Sequence, residues 1–172
     1  MEHFDDPRLT AMGLLSEAFS GVEAKLAPAL SEEGLSVVDF DALIRLARSP
    51  GRRLRMSDLA AQTSLSTSGI TRVVDRLERS GLVERVACAT DRRTSYAAIT
   101  GEGVERLARV VPRHLDDIDR WFTGLLSPEQ LDVFLAALRK IRDAVRPCAT
   151  AGAAGAGRTE HDGPAESSGD AH

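Results

Sequence analysis

Several common functions are excluded by what the chain lacks. It holds two cysteines, Cys88 and Cys148, with no CxxC spacing and no histidine beside either, so neither a zinc site nor a disulfide framework is indicated. His114 and Asp117 have i,i+3 spacing, but a tetrahedral metal site wants four ligands, and His3, His161 and His172 lie in stretches expected to be disordered. No metal is expected. No run of 18 apolar residues offers a membrane span. The opening MEHFDDPRLT is acidic and lacks the basic and apolar regions of a secretory signal, which points to the cytoplasm. No nucleophile–base pairing, paired carboxylates or phosphate-cradling glycine loop is present, and Gly152, Gly155 and Gly157 have no strand before them. The chain therefore reads as no enzyme, with no cofactor.

Lysine is also scarce, and its replacement by arginine is uneven. Of 22 basic residues only Lys25 and Lys140 are lysines. Eleven arginines fall between Arg45 and Arg93 against five acids, a local excess of six positive charges in a chain of net charge −4. Acidic flanks around a basic segment suit a polyanion footprint inside a protein kept soluble elsewhere, and equally suit a salt-bridged helical surface.

Helical periodicity marks the flanks. Leu15, Ala18, Phe19, Val22, Leu26 and Leu30 predict an amphipathic helix over about 7–30. Val37, Val38, Phe40, Leu43, Ile44 and Ala47 predict a second, capped by Ser36 and closed by Ser49-Pro50-Gly51. A stripe from Val104 to Leu125 predicts a long helix with a kink or break at Pro112. Another runs from Leu131 to Val145, opened by a capping box with Ser127 at N-cap, Pro128 at N1 and Gln130 at N3. Residues 1–35 and 101–146 are expected to pair two copies of the chain, because a small central module gives them little to cover; the alternative is that they pack on that module itself, and the pattern alone does not choose. Residues 147–172 have no Leu, Ile, Val or aromatic residue and are expected to form a disordered tail.

The central segment, 36–100, is the specific one. Ser57 to Thr63 predicts a short helix capped by Ser57, Leu65 to Gly69 a turn, and a second helix spanning about 67–80 is stopped by Gly81 at C′. Together they form a helix-turn-helix candidate. Ile70, Val73, Val74 and Leu77 share the inward face. Ser68, Arg72, Asp75 and Arg79 face outward, with Thr71 and Arg76 on the shoulders. Short hydroxyl side chains allow close approach to a major groove, where arginine bonds guanine O6 and N7. Two strands follow, 82–87 and 95–99, joined by a polar loop with Asp91, Arg92 and Arg93. A positive hairpin tip suits a minor groove, and Asp91 is placed to hold Arg93 extended.

Residues 57–103 resemble the winged helix-turn-helix of the MarR family of bacterial transcriptional regulators. The resemblance rests on Leu59-Ala60, Thr71-Arg72, Val74 to Glu78, Gly81 to Arg85, Asp91-Arg92-Arg93 and Ile99-Thr100 with Gly103. It implies a mostly α fold with a two- to three-stranded β-wing between dimerisation helices. It further implies a homodimer reading a palindromic site on double-stranded DNA, expected to act as a repressor. Ser66, Thr67, Ser68, Thr71 and Arg72 would meet the major groove or its phosphates. Arg76 would support the backbone contact or pair with Asp75 or Glu78, and wing 88–94 would place Arg93 in the minor groove beside Asp91 and Arg92. Arg52, Arg53 and Arg55 are further candidates near phosphates. The family also suggests an unidentified small-molecule effector in a pocket lined by the first, second and fifth helices. The alternative is a winged-helix protein-interaction module without specific DNA binding.

Overall fold

Side chains that satisfy helix end groups set most element boundaries. The computed structural model describes residues 4–87 and 95–146. Helix α1 (Pro7–Glu32) opens behind Asp6, whose carboxylate accepts from the Arg8 N–H at 2.8 Å. Helix α2 (Val37–Arg48) carries the expected Ser36 cap, completed as a box by Asp39. The Ser127–Gln130 box opens α6 (Pro128–Val145) as read from the sequence. Helix α4 (Thr67–Arg79) ends in a Schellman motif: Gly81 at φ +72° donates to Glu78 O at 3.0 Å, and Leu82 N–H donates to Leu77 O at 2.9 Å.

Three expectations are corrected. Ser57 does not cap α3 (Met56–Thr63); Arg55 is at N-cap without a side-chain bond, and the Ser57 hydroxyl meets Asp58 instead. The reason is non-local: strand β1 (Arg53–Arg55) pairs with a distant strand and delivers the chain directly into the helix. The turn between α3 and α4 is also shorter than Leu65–Gly69. Ser64 takes the left-handed conformation at φ 63°, and Thr67, Ser68 and Gly69 are already helical. Finally, α5 (Gly101–Trp121) runs unbroken through Pro112. Pro112 and Ala108 are both exposed, so the Ala108 carbonyl that loses its donor is open to water.

Strands β2 (Val83–Ala87) and β3 (Ser95–Ile99) pair antiparallel, and β1 adds antiparallel to the other side of β3. Two strands with a third left open are expected from the sequence, and β1 is that third. Leu43, Leu46, Leu59, Ile70, Val74, Leu77, Leu82 and Val83 form a core in which α2, α3 and α4 pack on the sheet. Leu30 of α1 and Leu107 and Val110 of α5 belong to the same core, so it extends past residues 36 and 100 on both sides. Elsewhere the flanking helices are bare: Leu9, Met12, Leu14, Leu15 and Phe19 are exposed on α1, and no residue of α6 is buried.

Candidate nucleic-acid interface

Helix α4 presents its two sides as its periodicity requires. Ile70, Val73, Val74 and Leu77 are buried, which leaves the opposite side to solvent. At its start Ser66 accepts from Gly69 N–H at 3.1 Å and shares a hydrogen bond of 3.1 Å with the Ser68 hydroxyl. Thr71 donates its hydroxyl back to Thr67 O at 2.8 Å. These short polar side chains are tied to their own turn, and the surface above them is low and open. Arg72 is exposed there and meets no carboxylate among the described residues.

The second half of the same helix is chemically different. Arg76 donates through Nε and Nη2 to Asp39 Oδ1 at 3.0 and 2.5 Å, with Asp39 buried in α2. Its partner is therefore neither Asp75 nor Glu78. Both of those acids belong to Arg85 of β2, which reaches Asp75 at 2.5 Å and also bonds Glu78. The Asp75 hydrogen bond leads the effects that raise the Arg85 pKa above the ordinary guanidinium range. Arg79 donates to the Asp75 carbonyl at 3.1 Å. The outward face is thus internally neutralised from Asp75 onward and uncommitted around Ser66, Thr67, Ser68, Thr71 and Arg72.

Sequence reasoning missed the roles of Asp39 and Arg85. A signal existed for Arg85: by strand alternation it shares the side of Val83, although Arg85 itself is exposed. Asp39 gave none beyond its capping position. Asp91, Arg92 and Arg93 lie outside the described residues, as do Cys88, Cys148, His3, His161, His172 and the expected tail.

A cavity of about 510 Å³ lies between α1, α2, the end of α3 and α5, where the sequence reading placed a ligand pocket. His114 lines it, 8% exposed, its ring centroid 4.4 Å from that of Phe40. Burial lowers the His114 pKa against the opposing pull of Asp117, and Nδ1 has no hydrogen-bond partner among the described residues. The described residues hold no cluster of three metal-ligating side chains and no helix long and apolar enough to cross a membrane.

A short helix, a tight turn, a longer helix with an open N-terminal face and a three-stranded antiparallel wing sheet define a winged helix-turn-helix protein. The sequence profile of the MarR family matches residues 33–94. Over 127 residues the chain is 30% identical to the uncharacterized HTH-type transcriptional regulator YkoM of Bacillus subtilis (strain 168), covering 74% of this chain and 80% of that protein. Among solved structures it is similar to the MarR family regulator Sco3205 of Streptomyces coelicolor, in complex with DNA, at 33% identity and a TM-score of 0.75, covering 81% of this chain and 88% of that one. It is similar also to the regulator AbsC from Streptomyces coelicolor, at 34% identity and a TM-score of 0.77, covering 83% and 96%. The chain belongs to the MarR family of transcriptional regulators.

Proposed function

We propose that the protein binds double-stranded DNA sequence-specifically as a homodimer and represses transcription by occupying a palindromic promoter site. The observation that carries this reading is the split face of α4. Its first two turns are open, carry small side chains and include Arg72, while the acids further along are paired with Arg85. Ser66, Thr67, Ser68, Thr71 and Arg72 are assigned to the major groove and its phosphates. Arg76 acts from behind, holding the helix to Asp39. Asp91, Arg92 and Arg93 are assigned to the minor groove on sequence alone. The complex of the relative Sco3205 with DNA supports the assignment of this fold to duplex binding.

Residues 1–35 and 101–146 are assigned to dimerisation. Support comes from an apolar groove of about 1020 Å³ between α1, the end of α5 and α6, with Leu125 and Val133 exposed in its lining, and from Phe19 and Val145 exposed elsewhere on α1 and α6. The cavity at His114 and Phe40 is the proposed place of an effector. The protein is expected in the cytoplasm, where promoter DNA lies.

Selection from a random duplex library tests the reading. The purified protein should enrich a palindrome whose half-sites are about 10 base pairs apart centre to centre. Arg72→Ala should relax one position in each half-site at a cost of about 1–3 kcal/mol. If no sequence is enriched, the protein-interaction alternative takes its place.

A further inference from the structure

Helix α6 ends on a residue that reaches back to the helix-turn-helix. Among the described residues the other side-chain hydrogen bonds of α6 are local: Ser127, Glu129 and Gln130 bond among themselves, and Arg142 holds Asp143. Arg146 stands at the C-cap, where the backbone leaves the helix with φ −147° and ψ 69°. Its Nη2 donates to Ala61 O at 2.6 Å, and its Nη1 donates to the Ser64 hydroxyl. These acceptors lie 85 and 82 residues earlier in the chain, at the end of α3.

The receiving end of α3 has a place for such a group. It brings no basic residue of its own to its last turn. Thr63 donates its hydroxyl to Leu59 O at 2.7 Å, and Leu65 N–H closes on Ala60 O at 3.1 Å. The next carbonyl, that of Ala61, is the one Arg146 takes, which puts a cation at the negative end of the helix. Ser64 holds the left-handed conformation at φ 63°, and two residues on Ser66 caps α4. Arg146 meets no carboxylate among the described residues, since Asp143, the nearest acid in sequence, pairs with Arg142 at 2.8 Å. A planar guanidinium with two donors engaged fixes an angle as well as a distance between the end of α6 and the α3–α4 turn.

The lobe is joined to the flanking helices through other residues as well. Leu30 of α1 and Leu107 and Val110 of α5 enter its core, and Gly103 packs against Leu82 and Ile99. The Arg146 tie adds an attachment at the turn that leads directly into α4. We propose that Arg146 is a positioning residue: by holding the α3–α4 turn to the end of α6 it sets how each lobe sits on the dimer, and so which half-site spacing the dimer accepts. This rests on the proposed homodimer and palindromic site, and it gives Arg146 no contact with DNA. The competing use is a helix cap alone, which would stabilise α3 without steering the lobe.

The test is the affinity of the full chain for its selected palindrome and for duplexes whose half-sites stand one base pair closer or further apart, with Arg146→Ala and Arg146→Lys beside the unaltered protein. One added base pair moves the second half-site by about 3.4 Å and turns it by about 35° around the duplex axis. The unaltered protein should lose about tenfold or more on either altered spacing, as for one mismatched base pair. Arg146→Ala should lose about threefold or less between the same duplexes, with unchanged base preference inside each half-site. Arg146→Lys, which keeps the cation and a donor for Ala61 O, should restore most of the discrimination. Undiminished discrimination in Arg146→Ala would overturn the proposal and leave Arg146 as a cap of α3. An equal loss of affinity on all three duplexes, which weaker folding would produce, would overturn it too. So would a changed base preference at undiminished discrimination, which would place the effect on α4 itself. Failure of the unaltered protein to select any palindrome would contradict the functional reading, and that result comes before any variant is compared.

Discussion

What distinguishes one arginine from another in this chain is the partner it holds. Arg76 and Arg85 look like members of the same basic footprint as Arg72 when counted along the sequence, yet each is committed inside the fold. Asp39 takes the Ser36 N–H at 3.0 Å and the Ser36 hydroxyl at 2.6 Å on one side and Arg76 on the other, so one buried carboxylate caps α2 and fixes α4. Removing either partner leaves a charged group with lost hydrogen bonds. Arg76→Ala should lower the unfolding free energy by about 1.5–3 kcal/mol, and Asp39→Ala by more because its cap is lost too. In urea denaturation the double variant should fall short of the sum of the two by about 1–3 kcal/mol. Additive losses would show that the pair carries no coupling. The inward periodicity of Ile70, Val73, Val74 and Leu77 was legible in the sequence because it depends on helix geometry alone. The Asp39–Arg76 tie was not, because its two members are 37 residues apart and nothing local marks them as neighbours.

At the scale of elements the same division holds. Ser36, Ser127 and Gly81 act within their own turns, and their reading from sequence matches the structure. Ser57 fails as a cap because β1 is created by pairing with β3, from Arg53–Ala98 to Arg55–Tyr96, and that pairing sets where α3 begins. Pro112 fails as a breaker because it falls on the exposed side of α5. The joint between wing and α5 depends on Gly103, where an added Cβ would stand 2.3 Å from Leu82 O and 2.6 Å from Ile99 Cγ1. The first of these is backbone and cannot swing aside. Gly103→Ala should cost about 1–3 kcal/mol of stability, whereas Gly101→Ala, with nothing within 4 Å, should be neutral or slightly stabilising. Equal urea midpoints for the two variants would remove the close packing of α5 on the α4–β2 connection from the account.

The whole molecule sets a small, well-packed lobe between helices whose apolar sides it does not cover. Val133 and Val145 are 72% and 70% exposed and Phe19 66%, values that a second copy of the chain would reduce. Under the proposed function, pairing two lobes would let a chain of net charge −4 bind a polyanion. Its positive charge is concentrated on the lobe, while at the contact of α1 with α5 Glu32 and Glu33 are spent on Arg106, Arg109 and Arg113. On the proposed function, this local charge, carried twice, produces sequence-specific duplex binding. The most direct measurement is fluorescence anisotropy of the purified protein on the selected duplex and on a scrambled one, across a salt series. Two chains should bind per site, with clear preference for the selected duplex and a steep fall of affinity with salt, about 0.9 in slope for every phosphate neutralised. Equal, weak binding to both duplexes with a shallow slope would contradict it.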